Sequence, residues 1–597
     1  MSPKSKKYTI IIICLLVFIV LSARLYKLQI IDQSQYGLES RRNSIRKIVV
    51  TPPRGLMFDN KGNIVVDNLP SYVVTIIPSK FVRSKITEVA QLIGEDTASI
   101  GEIIDKPAGT NRFNPVIIKR RIDFKVISFL EENREALPGV DYMVESIRNY
   151  PISYRGSHIF GYIGEISDAM LEKQEGDYYR QGDLVGITGL EKYYEQQLRG
   201  EKGVKLVTAD VNGKILGSYN EGHDDIAPLN GSDLYLTIDS ELQKYCERLL
   251  GGRRGAIVAM NPKNGEILAL VSKPDYDLTI FSGEKNNALI SSVFNNPSFP
   301  MFNRVIQTRY PPGSTWKMMM GLAGLGSGKI STSSTIACGG SFTYAGRTFG
   351  DHGAYGNITV VTALEVSANV FFYKLSLMVG LENFTKYAKL FGFGSKTGID
   401  LPNETSGLVP SREYFNKVYG EGQWGGGLLV NLGIGQGELG VSPIQMVAYT
   451  SAIAMDGLYS TPHIVKQIKN LNSGKDEITE IKQRQIELSK SYFQAIKRGM
   501  YLVVNGGGGT ARNVKTGGYS LAGKTGTAQN TKGNNHSWFV GFAPYDNPQI
   551  AVCVFGENQG WGNEFAAPLA AAVMVRFLSN HAEDVYSELQ STPGVRD

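Results

Sequence analysis

Residues Tyr8 to Ala23 form an uncharged, strongly apolar run, preceded by Lys4, Lys6 and Lys7. Leu25, Leu28, Ile30 and Ile31 extend it, interrupted only by Arg24 and Lys27. Those two long side chains can snorkel to an interface, so the run reaches the roughly 20 residues that a bilayer requires. The pattern predicts a membrane anchor within residues 1–30. A cleaved signal peptide is the competing reading, because Leu21-Ser22-Ala23 ends in small residues. The run exceeds the usual h-region of about 7–15 residues, which favours the anchor. Lysines ahead of the span favour an N-terminus inside, while Arg24, Lys27, Arg41 and Arg42 dilute the asymmetry. No second run follows, so the remainder is expected to lie on one side of the membrane.

From residue 31 to 228 the pattern is mixed. Tyr72 to Ile77 reads as a strand closed by Pro78, and Asp123 to Glu135 has helical spacing. Val204 to Tyr219 carries Asn212-Gly213 between alternating segments, a hairpin signal. No catalytic constellation stands out, so this region is expected to be a non-catalytic pedestal. After Asn230-Gly231 the character changes. Gly255 to Met260 and Glu266 to Ser272 flank Asn264-Gly265 as a second hairpin. A Gly- and Ala-rich helical middle follows. Strand-like runs come at Tyr519–Thr525, Ser537–Ala543 and Gln549–Gly556, then a helix over Glu564–Ser579. Sheet from both ends and helices from the middle predict an α+β domain over 229–590.

The length of 597 residues suggests two to four domains, and 42% hydrophobic with 20% charged residues argues against wholesale disorder. The net charge of +6 comes from 62 basic and 56 acidic residues without any block of five like charges. Nucleic-acid binding therefore has little support, whereas an anionic membrane or polymer suits a mildly basic surface. The cysteines Cys14, Cys246, Cys338 and Cys553 lie far apart with no C-x-x-C pair, which argues against a disulfide framework and a structural zinc. Six histidines leave little room for a histidine-rich metal centre. No cofactor is expected, and the chemistry is sought among Ser, Lys and Thr.

Pro311-Pro312-Gly313-Ser314-Thr315-Trp316-Lys317 precedes an apolar helical run. Residues three apart share a helix face, so Lys317 can reach the Ser314 hydroxyl. Serine is a weak nucleophile that needs a base, and lysine serves only with a lowered pKa. Near a helix N-terminus, backbone amides also favour negative charge at Ser314. S-x-x-K alone is weak, since Ser44-x-x-Lys47 and Ser282-x-x-Lys285 match it too. Two further elements change that: Ser367-Ala368-Asn369, then Lys524-Thr525-Gly526-Thr527. A hydroxyl and an amide can relay a proton and hold a substrate amide. A lysine with threonines on an edge strand suits a carboxylate, and a glycine admits close backbone approach. The three elements in this order are a known serine-acyltransferase set. Lys396-Thr397-Gly398 and Lys515-Thr516-Gly517 are decoys of the third element, the first in an apparent loop and the second among Gly and Asn. Lys524 ends an apolar run and precedes the aromatic strand at Trp538-Phe539, which singles it out.

On these residues the chain resembles the class B penicillin-binding proteins, most of all their elongation-type members. The likeness extends to Pro53-Arg54-Gly55 with Asp59 and Gly62, to Gly186-Ile187-Thr188-Gly189-Leu190-Glu191, and to Gly392–Pro402. Ile434-Gly435-Gln436-Gly437 and His536–Pro544 continue it. The resemblance implies a penicillin-binding-protein and β-lactamase-like acyltransferase domain, with antiparallel sheet and helices, on an elongated, mixed α/β, dimerisation-type pedestal. It implies a D,D-transpeptidase that cross-links peptidoglycan stem peptides and is acylated by β-lactams. Ser314 would attack the penultimate D-Ala carbonyl, with Lys317 as base and Ser367 and Asn369 passing protons and orienting substrate. Lys524, Thr525 and Thr527, with Gly526 between them, would bind the substrate carboxylate. The amides of Ser314 and Thr527 would form the oxyanion hole. The same resemblance implies a catalytic domain outside the cytoplasmic membrane and a SEDS-type glycan polymerase as partner.

No acidic glycosyltransferase motif precedes residue 230, so a monofunctional enzyme is expected. Some relatives bind zinc near the active site, and Cys338, Asp351 and His352 fall in that region. Ala368 stands where such relatives can carry Cys, so these residues are read as loop and packing and no metal is assigned. Division-type transpeptidase is the alternative function. A β-lactam sensor lacks its extra spans here, a silent scaffold disagrees with the intact Ser314, Lys317, Asn369 and Lys524, and the long pedestal speaks against a secreted β-lactamase.

Overall fold

The computed structural model describes residues 3–27, 30, 45–106, 112–173, 176, 178–209, 215–282 and 286–579. Helix α1 (Pro3–Tyr26) contains the stretch Lys7–Tyr26, with mean hydropathy 2.5 and nothing packed over it. A helix apolar all round is stable only where its surroundings are apolar too, and its length matches a bilayer. Among the described residues it is the one helix long and apolar enough to cross a membrane.

The pedestal opens with β1 (Ile45–Val50), β2 (Met57–Phe58) and β3 (Ile64–Ile76). The turn into β3 is closed by Asp59, whose carboxylate accepts the amides of Lys61 and Asn63. The strand expected from Tyr72 starts eight residues earlier, and its second half pairs on both sides. There Tyr72 faces Ile122 of β4 (Val116–Ile122) and Val144 of β5 (Val140–Asn149), both antiparallel. Between β4 and β5 runs α2 (Phe124–Glu132), the helix expected at 123–135. Val74, Ile76, Ile104, Ile127 and Leu130 bury together in this lobe. The hairpin expected at 204–219 is β6 (Gly203–Ala209) against β7 (Ile215–Ser218). Its Asn212-Gly213 turn lies outside the described residues. β1 pairs with the other edge of β6.

Two segments that the resemblance singled out separately come together in the pedestal. The Arg54 guanidinium lies 2.6 Å from Glu191 and 2.7 Å from Glu195, and Arg148 lies 2.7 Å from the other Glu191 oxygen. Arg148 also donates to the Gly55 carbonyl and to Asn68. Burial alone would raise the Glu191 carboxyl, but Arg148 and Arg54 outweigh it and hold the group below its ordinary value.

The pedestal and the C-terminal half share a sheet. Strand β8 (Asp233–Leu236) runs parallel to β2, with Leu234 opposite Met57. A side chain at Gly55 would place its Cβ 1.8 Å from the Ser232 carbonyl oxygen, so only glycine permits this approach.

The C-terminal half is built on a second sheet. After α3 (Ser240–Leu250) come β9 (Gly255–Met260) and β10 (Ile267–Lys273), the hairpin expected around Asn264-Gly265. The helical middle contributes α4 (Lys317–Gly326), the hairpin β11 (Ile336–Tyr344) and β12 (Arg347–Ile358), then α5 (Val360–Glu365), α6 (Asn369–Leu390) and α7 (Pro443–Ala454). Strands β13 (Val465–Lys469) and β14 (Asp476–Ile478) return to the shared sheet, whose order is β14-β13-β8-β2-β3-β4 with β5 also on β3. The chain ends with α8 (Lys490–Asn505), β15 (Ala522–Ala528), β16 (His536–Ala543), β17 (Ile550–Gly556) and α9 (Ala566–Ser579).

The five-stranded order β10-β9-β17-β16-β15 joins strands from both ends of the domain, as the patterning predicts. Val552, Val554 and Phe539 face α3 and α9, while Trp538, Val540 and Cys553 face the helical middle. With both faces covered, every residue of β16 and β17 is buried. Each large apolar side chain so buried contributes about 1.5–3 kcal/mol. The sheet's edge strand β15 is left to form one wall of a site.

Candidate active site

Ser314 sits in a single 3₁₀ turn, Gly313–Trp316, that leads into α4. Gly313 has φ of +56°, and a Cβ there would fall 2.6 Å from the Thr527 carbonyl oxygen. The turn is anchored by the Thr315 hydroxyl donating to the Pro312 carbonyl at 2.7 Å and by Trp316, wholly buried against Phe384 and Phe393. Ser314 alone of this turn stays half-exposed. A buried frame thus presents one hydroxyl.

Lys317 is wholly buried. Its Nζ donates to the Ser367 carbonyl at 2.7 Å, the Ser367 hydroxyl at 3.2 Å and Asn369 Oδ1 at 2.6 Å. Spacing places Lys317 within reach of the Ser314 hydroxyl; the hydrogen bonds its amine makes here go to the neighbouring α5–α6 turn. Ser367 there adopts φ of +56°, a backbone conformation costing about 1–3 kcal/mol for a residue with a side chain. Its hydroxyl also accepts from Lys524 Nζ at 2.9 Å.

Lys524 is the third residue of β15 and is also wholly buried, opposite Val540 in the register. Gly526 lies against the nucleophile turn, where a Cβ would sit 2.7 Å from the Pro312 carbonyl oxygen and 2.8 Å from Thr315 Cγ2. Thr525 is hydrogen-bonded through its hydroxyl to Thr510 at 2.8 Å, and the Thr527 hydroxyl accepts the Gly562 amide at 3.2 Å. The edge-strand placement expected for Lys524 is therefore what the sheet order gives. These contacts link Lys317, Ser367, Asn369 and Lys524 to one another, and set Gly526 and Thr527 against the turn that carries Ser314; Thr525 is seen bonded to Thr510.

The electrostatics suit acyl transfer. Burial, and then the neighbouring Lys524 charge, push Lys317 well below its ordinary value, while Asp351 opposes them. Burial pushes Lys524 down to about 7. A neutral Lys317 amine has two N–H groups, enough for the Ser367 carbonyl and Asn369. Its lone pair is then left for a hydroxyl proton. Two buried amines bridged by one serine hydroxyl form a short proton path.

The decoys lie elsewhere. Lys396 is exposed on a loop whose Thr397 donates to Glu404, and Lys515 is exposed in a loop before β15. Ser282 is buried far along the chain from any of these elements, and Ser44 and Lys285 lie outside the described residues. Among the described residues no three His, Cys, Asp or Glu side chains are grouped to hold a metal. Cys338 is buried with its thiol on the Ile336 carbonyl, while the Asp351 carboxylate is turned to the start of α6. Gln436 supports the far wall, donating to the Thr527 carbonyl at 3.0 Å. Its place in a Gly-x-Gly run marks a tight turn but gives no hint of that partner.

The penicillin binding protein transpeptidase domain family matches residues 255–575, and the penicillin-binding protein dimerisation domain family matches residues 49–236. The peptidoglycan D,D-transpeptidase MrdA of Acinetobacter baumannii is 33% identical over 601 aligned residues, covering 95% of this chain and 86% of that protein. The chain belongs to the class B penicillin-binding proteins. Among solved structures it is similar to the penicillin-binding protein PBP2 of Helicobacter pylori in complex with MreC, with TM-score 0.78, 28% identity, and coverage of 90% of this chain and 99% of that one. A peptidoglycan synthase complex that coordinates polymerisation and cross-linking contains a chain similar at TM-score 0.70 and 25% identity, covering 97% of this chain and 99% of that one. This penicillin-binding protein is a serine acyltransferase of the transpeptidase kind, anchored by one N-terminal helix.

Proposed function

We propose that this protein carries out the elongation-type peptidoglycan D,D-transpeptidation of its family through Ser314. The observation that carries the reading is the meeting of Lys317, Ser367, Asn369 and Lys524, from three distant segments, around the turn that presents Ser314. Ser314 Oγ attacks the penultimate D-Ala carbonyl of a stem peptide while its proton passes to Lys317. The amides of Ser314 and Thr527 receive the developing oxyanion. Ser367 then delivers a proton to the leaving D-Ala amine, and Lys524 with Thr525 and Thr527 holds the substrate carboxylate. An amine from a second stem peptide takes the acyl group, and its proton returns along the same path. β-Lactams stop at the acyl-enzyme.

The division of labour along the chain is part of the same proposal: anchor over 1–30, pedestal over 31–228, transpeptidase over 229–590, the last lying outside the cytoplasmic membrane. The partner we assign to the anchor and pedestal is a SEDS-type glycan polymerase. The similarity to a synthase complex and the need of a monofunctional cross-linker for glycan strands support it.

The test is labelling of the purified protein with a fluorescent penicillin, followed by mass spectrometry of the modified peptide. The label is expected on Ser314 and lost in a folded Ser314→Ala protein, while Ser282→Ala keeps it. Labelling that persists without Ser314 sinks the assignment.

A further inference from the structure

Helix α6 starts behind a residue that cannot cap it. Ala368 holds the N-cap position and offers no side-chain oxygen, so the first amides of the helix need an acceptor from elsewhere. Asp351 supplies it: one carboxylate oxygen accepts the Asn369 amide and the other the Val370 amide, each at 2.8 Å. A carboxylate at a helix N-terminus is further favoured by the aligned peptide dipoles.

Asp351 reaches this position through an irregularity in its hairpin. The register runs Cys338 to Gly356, Gly339 to Ala354, and then Ser341 to Gly350, so residues 351–353 face only Gly340. Surplus residues on one strand bend it and re-aim a side chain, a device common beside active sites. The Asp351 oxygen also accepts the adjacent His352 amide at 2.8 Å, which fixes the carboxylate.

The two amides that Asp351 holds belong to the turn that carries the proton path. Asn369 Oδ1 accepts from Lys317, and Ser367, two residues earlier, bridges Lys317 and Lys524. We propose that Asp351 is a positioning residue for acylation: its carboxylate fixes the Ser367–Asn369 turn against Lys317 and keeps one negative charge facing that lysine. The proposal rests on the reading of Lys317 as base. The charged or titratable groups facing Lys317 are Lys524 from β15 and Asp351 and His352 from β12. The α5–α6 turn brings only neutral acceptors. Asp351 favours a proton on Lys317, and Lys524 and His352 oppose one.

The experiment compares acylation rates by a fluorescent penicillin, across pH, for the full-length protein and its variants in detergent. Asp351→Asn is expected to lower the maximal rate at least about tenfold, through the weakened hold on Asn369 and Val370. Its acidic limb moves to lower pH, because the base loses a neighbouring negative charge. Asp351→Glu keeps the limb in place. An unchanged rate, or a slower rate with an unmoved limb, overturns the proposal. Should Asp351→Asn fold poorly, adding Ala368→Ser returns a cap without the charge, so folding recovers and the limb stays displaced. Recovery of both limb and rate would make Asp351 a helix cap alone and overturn the proposal. Wild-type labelling of Lys317→Ala would instead sink the base assignment, whatever Asp351 does.

Discussion

Arg148 and Glu191 meet at 2.7 Å with both side chains wholly buried, and Arg54 binds the same carboxylate from the other side. This pair ties β5 to the segment around residue 190, and through the Gly55 carbonyl it reaches the seam with the catalytic half. Removing one partner of such a pair costs about 3–5 kcal/mol, because the other charge stays buried and unpaired. Glu191→Gln is therefore expected to lower the thermal unfolding midpoint by several degrees, while Ser314 remains reactive below the transition. The Glu191 carboxyl is depressed in the fold, so its stabilisation is present above the unfolded pKa and lost as pH falls through the folded one. The gap between wild type and variant should accordingly narrow in acid. A variant that melts with the wild type would refute this.

Lys524→Ala should slow penicillin acylation at least about tenfold, the size of a lost charge-assisted contact of roughly 1.5–3 kcal/mol. Lys396→Ala and Lys515→Ala should change it little, since both lysines are exposed on loops. If Lys515→Ala proved the crippling change, the groove would be wrongly placed.

The two active-site lysines make opposite demands on pH. Lys317 must be neutral to accept a proton, so acylation should fall as pH drops through its lowered value. Lys524 must be charged to hold a carboxylate, and it loses its proton as pH rises through about 7 in the free enzyme. The rate against pH should therefore be bell-shaped, its limbs belonging to the coupled pair. A penicillin methyl ester, lacking the carboxylate, should react more slowly and show no alkaline limb. An alkaline limb of the same position with the ester would remove Lys524 from the carboxylate.

Glycan polymerisation by a SEDS-type partner in membranes should be stimulated by this protein, and equally by Ser314→Ala, because the contact we propose lies on the anchor and pedestal. Deleting the pedestal is not a fair control. It would strip β2 from β8 and leave the catalytic half with an open strand. Charge substitutions at exposed pedestal positions such as Val144 and Leu216 test the contact instead. Full stimulation after every such substitution would count against the pedestal as the docking element.

The grouping of Lys317, Ser367, Asn369 and Lys524 was legible because the three motifs pair residue types at fixed spacing: Ser314 with Lys317, then Ser367 with Asn369, then the strand at Lys524. The strands at 519–556 announced themselves by apolar patterning, although β15 begins at Ala522: the Tyr519 amide still closes the preceding turn on Thr516, and the Ser520 carbonyl accepts the Tyr545 amide. The pairing of β2 with β8 was not legible. Two-residue strands carry no period, and their partners are far apart in sequence. The place of Asp351 was hidden for a similar reason, since a bulge erases the alternation that would reveal where a side chain points. Nor could spacing show that the Lys317 amine takes the Ser367 carbonyl as an acceptor, as that depends on a turn brought by another helix.

The wall around the nucleophile turn is built from glycines in contact with backbone. A Cβ at Gly313 would strike the Thr527 carbonyl, one at Gly435 the Gly313 carbonyl at 2.2 Å, and one at Gly562 the Gly526 carbonyl at 2.2 Å. Bulk added at these three points would push the nucleophile turn and the edge strand apart for an acylating antibiotic and the natural peptide alike. A change that spares the natural reaction while altering the fit of a drug is therefore expected at positions other than these glycines.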